Sequence, residues 1–181
     1  MQLAKGIIAP ASLTGKAGLV LAAAALIAIG AKVQVPFWPV PMTLQTLAVL
    51  VIAAGLGPRM GLAAMGAYMA AGIAGLPVFA GSPARGVGLA YLAGPTTGFL
   101  IGMGLAMVVT GVLAQGRALG GRVLAMAAGT IAIYVPGLIW LSAFVPAGRL
   151  VETGLLPFLP GDIVKIALGA MLVAAEGRLR R

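Results

Sequence analysis

Two ionisable residues of opposite sign stand three positions apart in Pro160-Gly161-Asp162-Ile163-Val164-Lys165, directly before the charge-free run Ile166 to Ala175. At i and i+3 on a helix they share a face, so a carboxylate acceptor and an ammonium donor lie side by side. The run after Lys165 is about half of what a helix needs to cross a hydrocarbon core, so either this helix barely crosses or both charges lie within its outer turns. An ionisable residue at the helix centre costs roughly 2.5 to 3.5 kcal/mol on insertion scales, less near the interface, and a partner or ligand usually offsets it. The pair is therefore a candidate binding site. A plainer explanation competes: Asp162 favours the helix dipole and Lys165 snorkels outward.

Arg85 is the second candidate, in the glycine-rich stretch Gly81-Ser82-Pro83-Ala84-Arg85-Gly86-Val87-Gly88, although a solvated loop charge would look the same. Pro41-Met42-Thr43-Leu44-Gln45-Thr46 adds the hydroxyl of Thr43 and the amide of Gln45, which structural hydrogen bonding explains equally well. With Thr96, Tyr91 and Phe79 these side chains offer cations to an anionic ligand, neutral donors and acceptors to a polar head, and aromatic surface to an apolar body. Catalysis has less to work with. The chain has no Cys and no His, which removes thiolate and imidazole metal ligands and every Ser-His or Cys-His nucleophile pair. Its three carboxylates form no metal cluster, and no lysine sits in a G-x-x-x-x-G-K-[ST] phosphate loop. A catalytic site, a metal site and a cofactor are not expected.

The elements that position these groups follow from composition. Of 181 residues, 61% are hydrophobic and 8% charged, where a soluble domain carries about 25% charged residues. That leaves too little polar surface to cover a water-facing globule, so an all-α integral membrane protein is expected. The net charge of +9 comes from only 12 Lys and Arg scattered singly between apolar runs, which argues against nucleic acid and for topology signals.

The gaps between charges mark six candidate transmembrane helices: Ala17 to Ala31, Thr43 to Pro58, Met60 to Val78, Tyr91 to Gln115, Val123 to Val145 and Gly161 to Ala175. The first is short and basic at its start, like a secretory signal peptide, but five further spans favour its retention. Lys5, Lys16, Arg59, Arg117, Arg122, Arg178, Arg180 and Arg181 fall on one side. Lys32, Arg85 and Arg149 fall on the other, with Lys165 inside the sixth span. The positive-inside rule then places both termini in the cytoplasm of a single domain spanning 1–181.

The outward connections Pro36-Phe37-Trp38-Pro39-Val40-Pro41, Leu76-Pro77-Val78-Phe79-Ala80-Gly81 and Leu156-Pro157-Phe158-Leu159-Pro160-Gly161 are proline-stiffened and aromatic, unlike the short basic inward turns. Non-helical backbone near membrane depth persists where protein buries it or a cavity receives it, so these loops should converge over a pocket, with Phe37 and Trp38 as its lid. The alternative is an interfacial aromatic belt. Small residues at four-residue spacing, Ala63, Ala67, Ala71 and Gly75, then Gly94, Gly98, Gly102 and Ala106, allow close helix approach, chiefly within the bundle.

The runs Pro39-Val40-Pro41-Met42-Thr43-Leu44-Gln45-Thr46, Gly75-Leu76-Pro77-Val78-Phe79-Ala80-Gly81, Gly94-Pro95-Thr96 with Gly98-Phe99-Leu100-Ile101-Gly102, and Pro157-Phe158-Leu159-Pro160-Gly161-Asp162 with Lys165 closely resemble the BioY family. These are the biotin-specific S components of energy-coupling factor (ECF) transporters. The resemblance runs from about Ala22 to Ala175, departing where Thr97 and Phe99 replace the Gly and Tyr of many members.

It implies a six-helix S-component fold in the cell membrane with biotin near the extracellular face. The implied partners are a transmembrane coupling protein and ABC-type ATPases that hydrolyse ATP for it. The family's last-helix Asp and Lys carry over to Asp162 and Lys165, and Ala24 with Ala28 resembles the face through which S components meet the coupling protein. Whether Arg85 or Lys165 meets the biotin carboxylate stays open. The alternatives are a self-sufficient or homo-oligomeric biotin carrier and, more remotely, a membrane-embedded enzyme.

Overall fold

A computed structural model describes residues 12–35 and 38–179. The lid residue Phe37 lies outside them, as do Lys5, Arg180 and Arg181. Helix α1 (Leu13–Lys32) opens where the Ser12 hydroxyl accepts the Gly15 N–H at 3.1 Å, which satisfies one of the amides a helix start leaves free. Beyond Lys32 the chain becomes extended. Strand β1 (Gln34–Val35) pairs antiparallel with β2 (Met42–Thr43) in the register Gln34 to Thr43, forming the stem of the loop between them.

Helix α2 (Gln45–Ile73) is broken at Gly57, whose φ of 79° and ψ of 174° are tolerated by glycine, and Pro58 follows as the first residue of a new helical arm. The break reverses the chain. A Cβ built on Gly61 would lie 3.7 Å from the Cα of Ala53, whereas eight residues of unbroken helix span about 12 Å. The arms 45–56 and 58–73 therefore run side by side.

The single helix expected from Tyr91 to Gln115 is divided into α3 (Gly88–Leu92) and α4 (Thr97–Leu113). Pro95 donates no backbone hydrogen bond and disfavours helical geometry at Gly94, so the chain turns there. The Thr97 hydroxyl donates to the Leu92 carbonyl at 2.7 Å and spans the break. Helix α5 (Leu119–Leu141) follows, then a 3-10 turn (Ala147–Arg149), the short α6 (Leu150–Gly154) and α7 (Leu159–Leu179). Both Asp162 and Lys165 lie in the first turns of α7, so of the two readings the longer helix is the one observed.

Helices α1, α2, α5 and the stretch 147–175 are long and apolar enough to cross a membrane, and α4 is a shorter apolar helix. The chain is a multi-pass membrane protein, and Ile29, Leu124 and Ile139 are exposed as expected of side chains that face lipid. Within the bundle the stripe on α4 is internal. A Cβ on Gly98 would come within 3.1 Å of the Gly137 Cα, and one on Gly102 within 2.7 Å of the Ile133 Cα, so these glycines let α4 and α5 touch backbone to backbone. The other stripe is not internal in the same way: Ala63 is exposed and Ala67 half-buried, while Gly61, Ala64, Tyr68 and Gly72 form the buried face of that arm.

Candidate ligand site at the loop-covered end of the bundle

Phe79 anchors the loop that follows α2. Its ring is fully buried, stacks on Tyr91 at 4.6 Å between centroids and meets Tyr68 edge-on at 5.5 Å. Any side chain at Gly72 would collide with it, which is why a glycine stands there. The polar groups of this loop are individually satisfied. The Tyr91 hydroxyl donates to the Ala80 carbonyl at 2.9 Å, and Lys32 Nζ donates to the Phe79 and Ser82 carbonyls, both at 2.9 Å, and to the Ser82 hydroxyl at 2.8 Å. Lys32 therefore does more than mark topology: it ties the loop to the end of α1.

Arg85 extends this framework sideways, its Nη1 donating to the Pro39 carbonyl at 2.7 Å and so linking the loop to the β1–β2 connection. Trp38 in that connection is 77% exposed, pointing its ring away from the protein, whereas Val40 and Pro41 face inward and roof a cavity.

The cavity has two compartments. The first, of about 50 Å³, lies between α4, α5 and α7 and is lined by Thr46, Tyr134, Phe158, Asp162 and Lys165. Lys165 Nζ pairs with Asp162 Oδ1 at 3.1 Å, and the Tyr134 hydroxyl donates to Asp162 Oδ2. Asp162 is 6% exposed and Lys165 7%, so a mutually compensated ion pair is buried under the loops, with one carboxylate oxygen occupied by each neighbour. The second compartment, of about 40 Å³, is lined by Thr43, Gln45, Tyr91 and Thr96. Val40, Pro41, Phe99 and Met103 line both and form the waist between them.

Most of the candidates named from sequence thus meet at one place: Asp162 and Lys165 in one compartment, Thr43, Gln45, Tyr91 and Thr96 in the next. Two do not reach the cavity wall. Phe79 lines neither compartment, because its ring fills the space left by Gly72, and Arg85 reaches the rim through Pro39. The partner-contact pair is also placed differently. Ala24 is buried in the core and Ala28 packs partly against it, so this pair faces the bundle, while Leu21, Leu26 and Ile29 are among the exposed residues of α1. Among the described residues no group of three or more metal-ligating side chains occurs.

Tyr134 escaped the sequence reading, since nothing in spacing links it to a residue 28 positions away. One signal was available. Thr130 and Tyr134 stand four apart in an otherwise apolar span and share a helix face, and both line the first compartment.

Comparison with known proteins agrees with this architecture. Residues 4–181 match the BioY family. A probable biotin transporter BioY of Pyrococcus horikoshii is 36% identical over 148 residues, covering 82% of this chain and 87% of that protein. The biotin transporter BioY of Thermotoga maritima is likewise 36% identical over 150 residues, with the same coverage. The crystal structure of the S component for biotin from an ECF-type ABC transporter superposes with a TM-score of 0.77 at 26% identity, over 94% of this chain and 95% of that one. With the family match spanning nearly the full sequence and the same fold beneath it, the chain belongs to the BioY family.

Proposed function

We propose that this protein is the high-affinity biotin-binding membrane subunit of an ECF-type importer, a single six-crossing unit with cytoplasmic termini. It delivers biotin to a transmembrane coupling protein driven by ABC-type ATPases. The observation that carries this reading is the buried Asp162–Lys165–Tyr134 cluster, held against a loop-covered cavity in a chain of this family. Biotin has a neutral ureido ring, an apolar thioether ring and a carboxylate on an aliphatic tail. The two polar compartments joined by an apolar waist match that sequence of groups. Charge-assisted hydrogen bonds are worth about 1.5 to 3 kcal/mol each, enough to offset the burial of these side chains.

Membership of a transporter family, with neither a phosphate loop nor a thiol or imidazole nucleophile, leaves the enzymatic alternative without support.

Isothermal titration of the detergent-purified chain with biotin tests the reading directly, and the absence of saturable heat would overturn it. In a biotin-uptake-deficient host the chain alone should give little accumulation. Co-expression with an ECF coupling protein and its ATPases should restore uptake, and equal uptake without them would mean a self-sufficient carrier. Topology is tested separately. A reporter fused after Arg181 should be cytoplasmic and one inserted beside Arg85 external, because the basic residues crowd the connections on the side of both termini. An external C-terminal reporter would sink the six-crossing arrangement.

A further inference from the structure

We infer that the turn between α4 and α5, at the end of the bundle opposite the cavity, binds the headgroup of an anionic phospholipid, with Gln115 and Arg122 donating to its phosphate. The inference does not depend on which ligand the cavity takes. Position, unsatisfied donors and charge carry it together.

The turn joins two antiparallel helix ends. Leu119, where α5 begins, precedes the cavity residue Tyr134 by a helical rise of about 22 Å, so this end is remote from the cavity. Gly98 meets Gly137, Gly102 meets Ile133, and the Thr110 hydroxyl donates to the Ala125 carbonyl, a register that sets Gln115 opposite the first turn of α5, where Arg122 stands. A Cβ on Gly121 would come within 2.8 Å of the Arg117 Cβ, so the Arg117 stem lies along the same turn. A Cβ on Gly111 would come within 2.7 Å of the Pro58 nitrogen, which brings Arg59 to this end as well.

The donors are unused. Gln115 Nε2 and Arg122 Nε are both buried without a hydrogen-bond partner, and because each can only donate, neither can satisfy the other. Both residues are half-buried, so rotation of their terminal groups presents these donors at the surface. No side chain caps α5, whose first amides therefore face the same region, and Gly120 has nothing within 4 Å of a Cβ position, which leaves room in front of them. A phosphate suits this set: its oxygens accept several hydrogen bonds at once, a guanidinium engages two of them, and a helix start favours negative charge.

Charge selects an anion, and the surroundings select a lipid. Of the three acids in the sequence only Glu176 falls at this end, against Lys16, Arg59, Arg117, Arg122 and Arg178. Arg59 and Arg117 are exposed, and neither they nor Arg122 pairs with an acid among the described residues. Basic residues grouped at the ends of membrane-spanning helices attract anionic headgroups. On the same two helix ends Val112, Leu113, Leu119 and Leu124 are exposed, so a headgroup held by the donors has aliphatic surface beside it for its acyl chains, which free phosphate would leave bare.

The test follows the melting temperature of the detergent-purified chain in mixed micelles containing phosphatidylglycerol or phosphatidylcholine with identical acyl chains, with inorganic phosphate as a third arm. Phosphatidylglycerol should raise the melting temperature of the parent by roughly 5 °C more than phosphatidylcholine does, and millimolar phosphate should not reproduce the gain. The double variant Gln115→Leu/Arg122→Gln should lose most of that difference. Arg122→Lys keeps the charge but not the planar donor set, and should lose about half of it. Arg149→Gln removes one exposed charge from the cavity end and should leave the difference intact. Each variant should elute as a monodisperse peak, since the double variant removes donors that have no partner.

Equal stabilisation of the parent by the two lipids would overturn the inference and leave these charges to an acidic protein segment. A gain reproduced by inorganic phosphate would overturn the lipid as ligand. A difference that survives the double variant, or that falls as far in Arg149→Gln, would show that net charge rather than this turn attracts the lipid, and would overturn it too.

Discussion

Replacing Lys165 by alanine should raise the biotin Kd at least tenfold, about 1.4 kcal/mol, and Asp162→Asn should do the same, with the protein still inserted and monodisperse. Each residue is more than nine-tenths buried and each is the other's charge partner at 3.1 Å. Removing one leaves an uncompensated charge or an unmatched donor where a ligand must dock, and breaking a buried pair costs about 3 to 5 kcal/mol, so thermal stability should fall as well.

The double variant Asp162→Asn/Lys165→Met separates the two effects. A buried ion pair can often be exchanged for uncharged groups with little loss of stability, so this variant should regain thermal stability without regaining biotin binding. Titration and thermal melts in the same detergent read both quantities. Unchanged biotin affinity in both single variants would mean that the pair is only a helix-end charge and its counter-ion.

Gly102→Val should be a strongly damaging substitution in the transmembrane bundle outside the site. A Cβ at residue 102 would come within 2.7 Å of the Ile133 Cα and 2.9 Å of its carbonyl carbon, and backbone cannot move aside as the end of a flexible side chain can. Helices α4 and α5 must therefore separate. Overpacking a core costs about 1 to 3 kcal/mol, and a clash with backbone belongs at the upper end, equivalent to a fall in Tm of roughly 10 °C. Because Phe99, Met103, Ile133 and Tyr134 all line the cavity from these two helices, biotin affinity should fall with stability. Gly104, on the same helix, has nothing within 4 Å of a Cβ position, so Gly104→Val is the control and should melt close to the parent. Equal melting temperatures for the two variants would show that the α4–α5 contact is not as close as described.

The sequence alone determines that this chain lies in a membrane, because 8% charged residues cannot cover a soluble surface at this length. Local chemistry likewise determines the reversal at Gly57-Pro58 and the shared face of Asp162 and Lys165, since backbone sterics and an i, i+3 spacing need no tertiary context. Four short motifs were enough to bring the family resemblance into view.

Only the tertiary structure decided which faces turn inward. In water, amphipathicity reveals the buried side of a helix, but lipid tails are as apolar as a protein core, so apolar residues do not show which side of a span turns inward. That is why Tyr134 could not be assigned to Asp162, why Ala24 proved to be buried, and why Phe79 became an anchor for its loop. It is also why Lys32 and Arg85 had to be seen to be understood. Lys32 on the Phe79 and Ser82 carbonyls and Arg85 on the Pro39 carbonyl bond residues at least 46 positions away, and no local pattern encodes which distant carbonyl a long flexible side chain will reach.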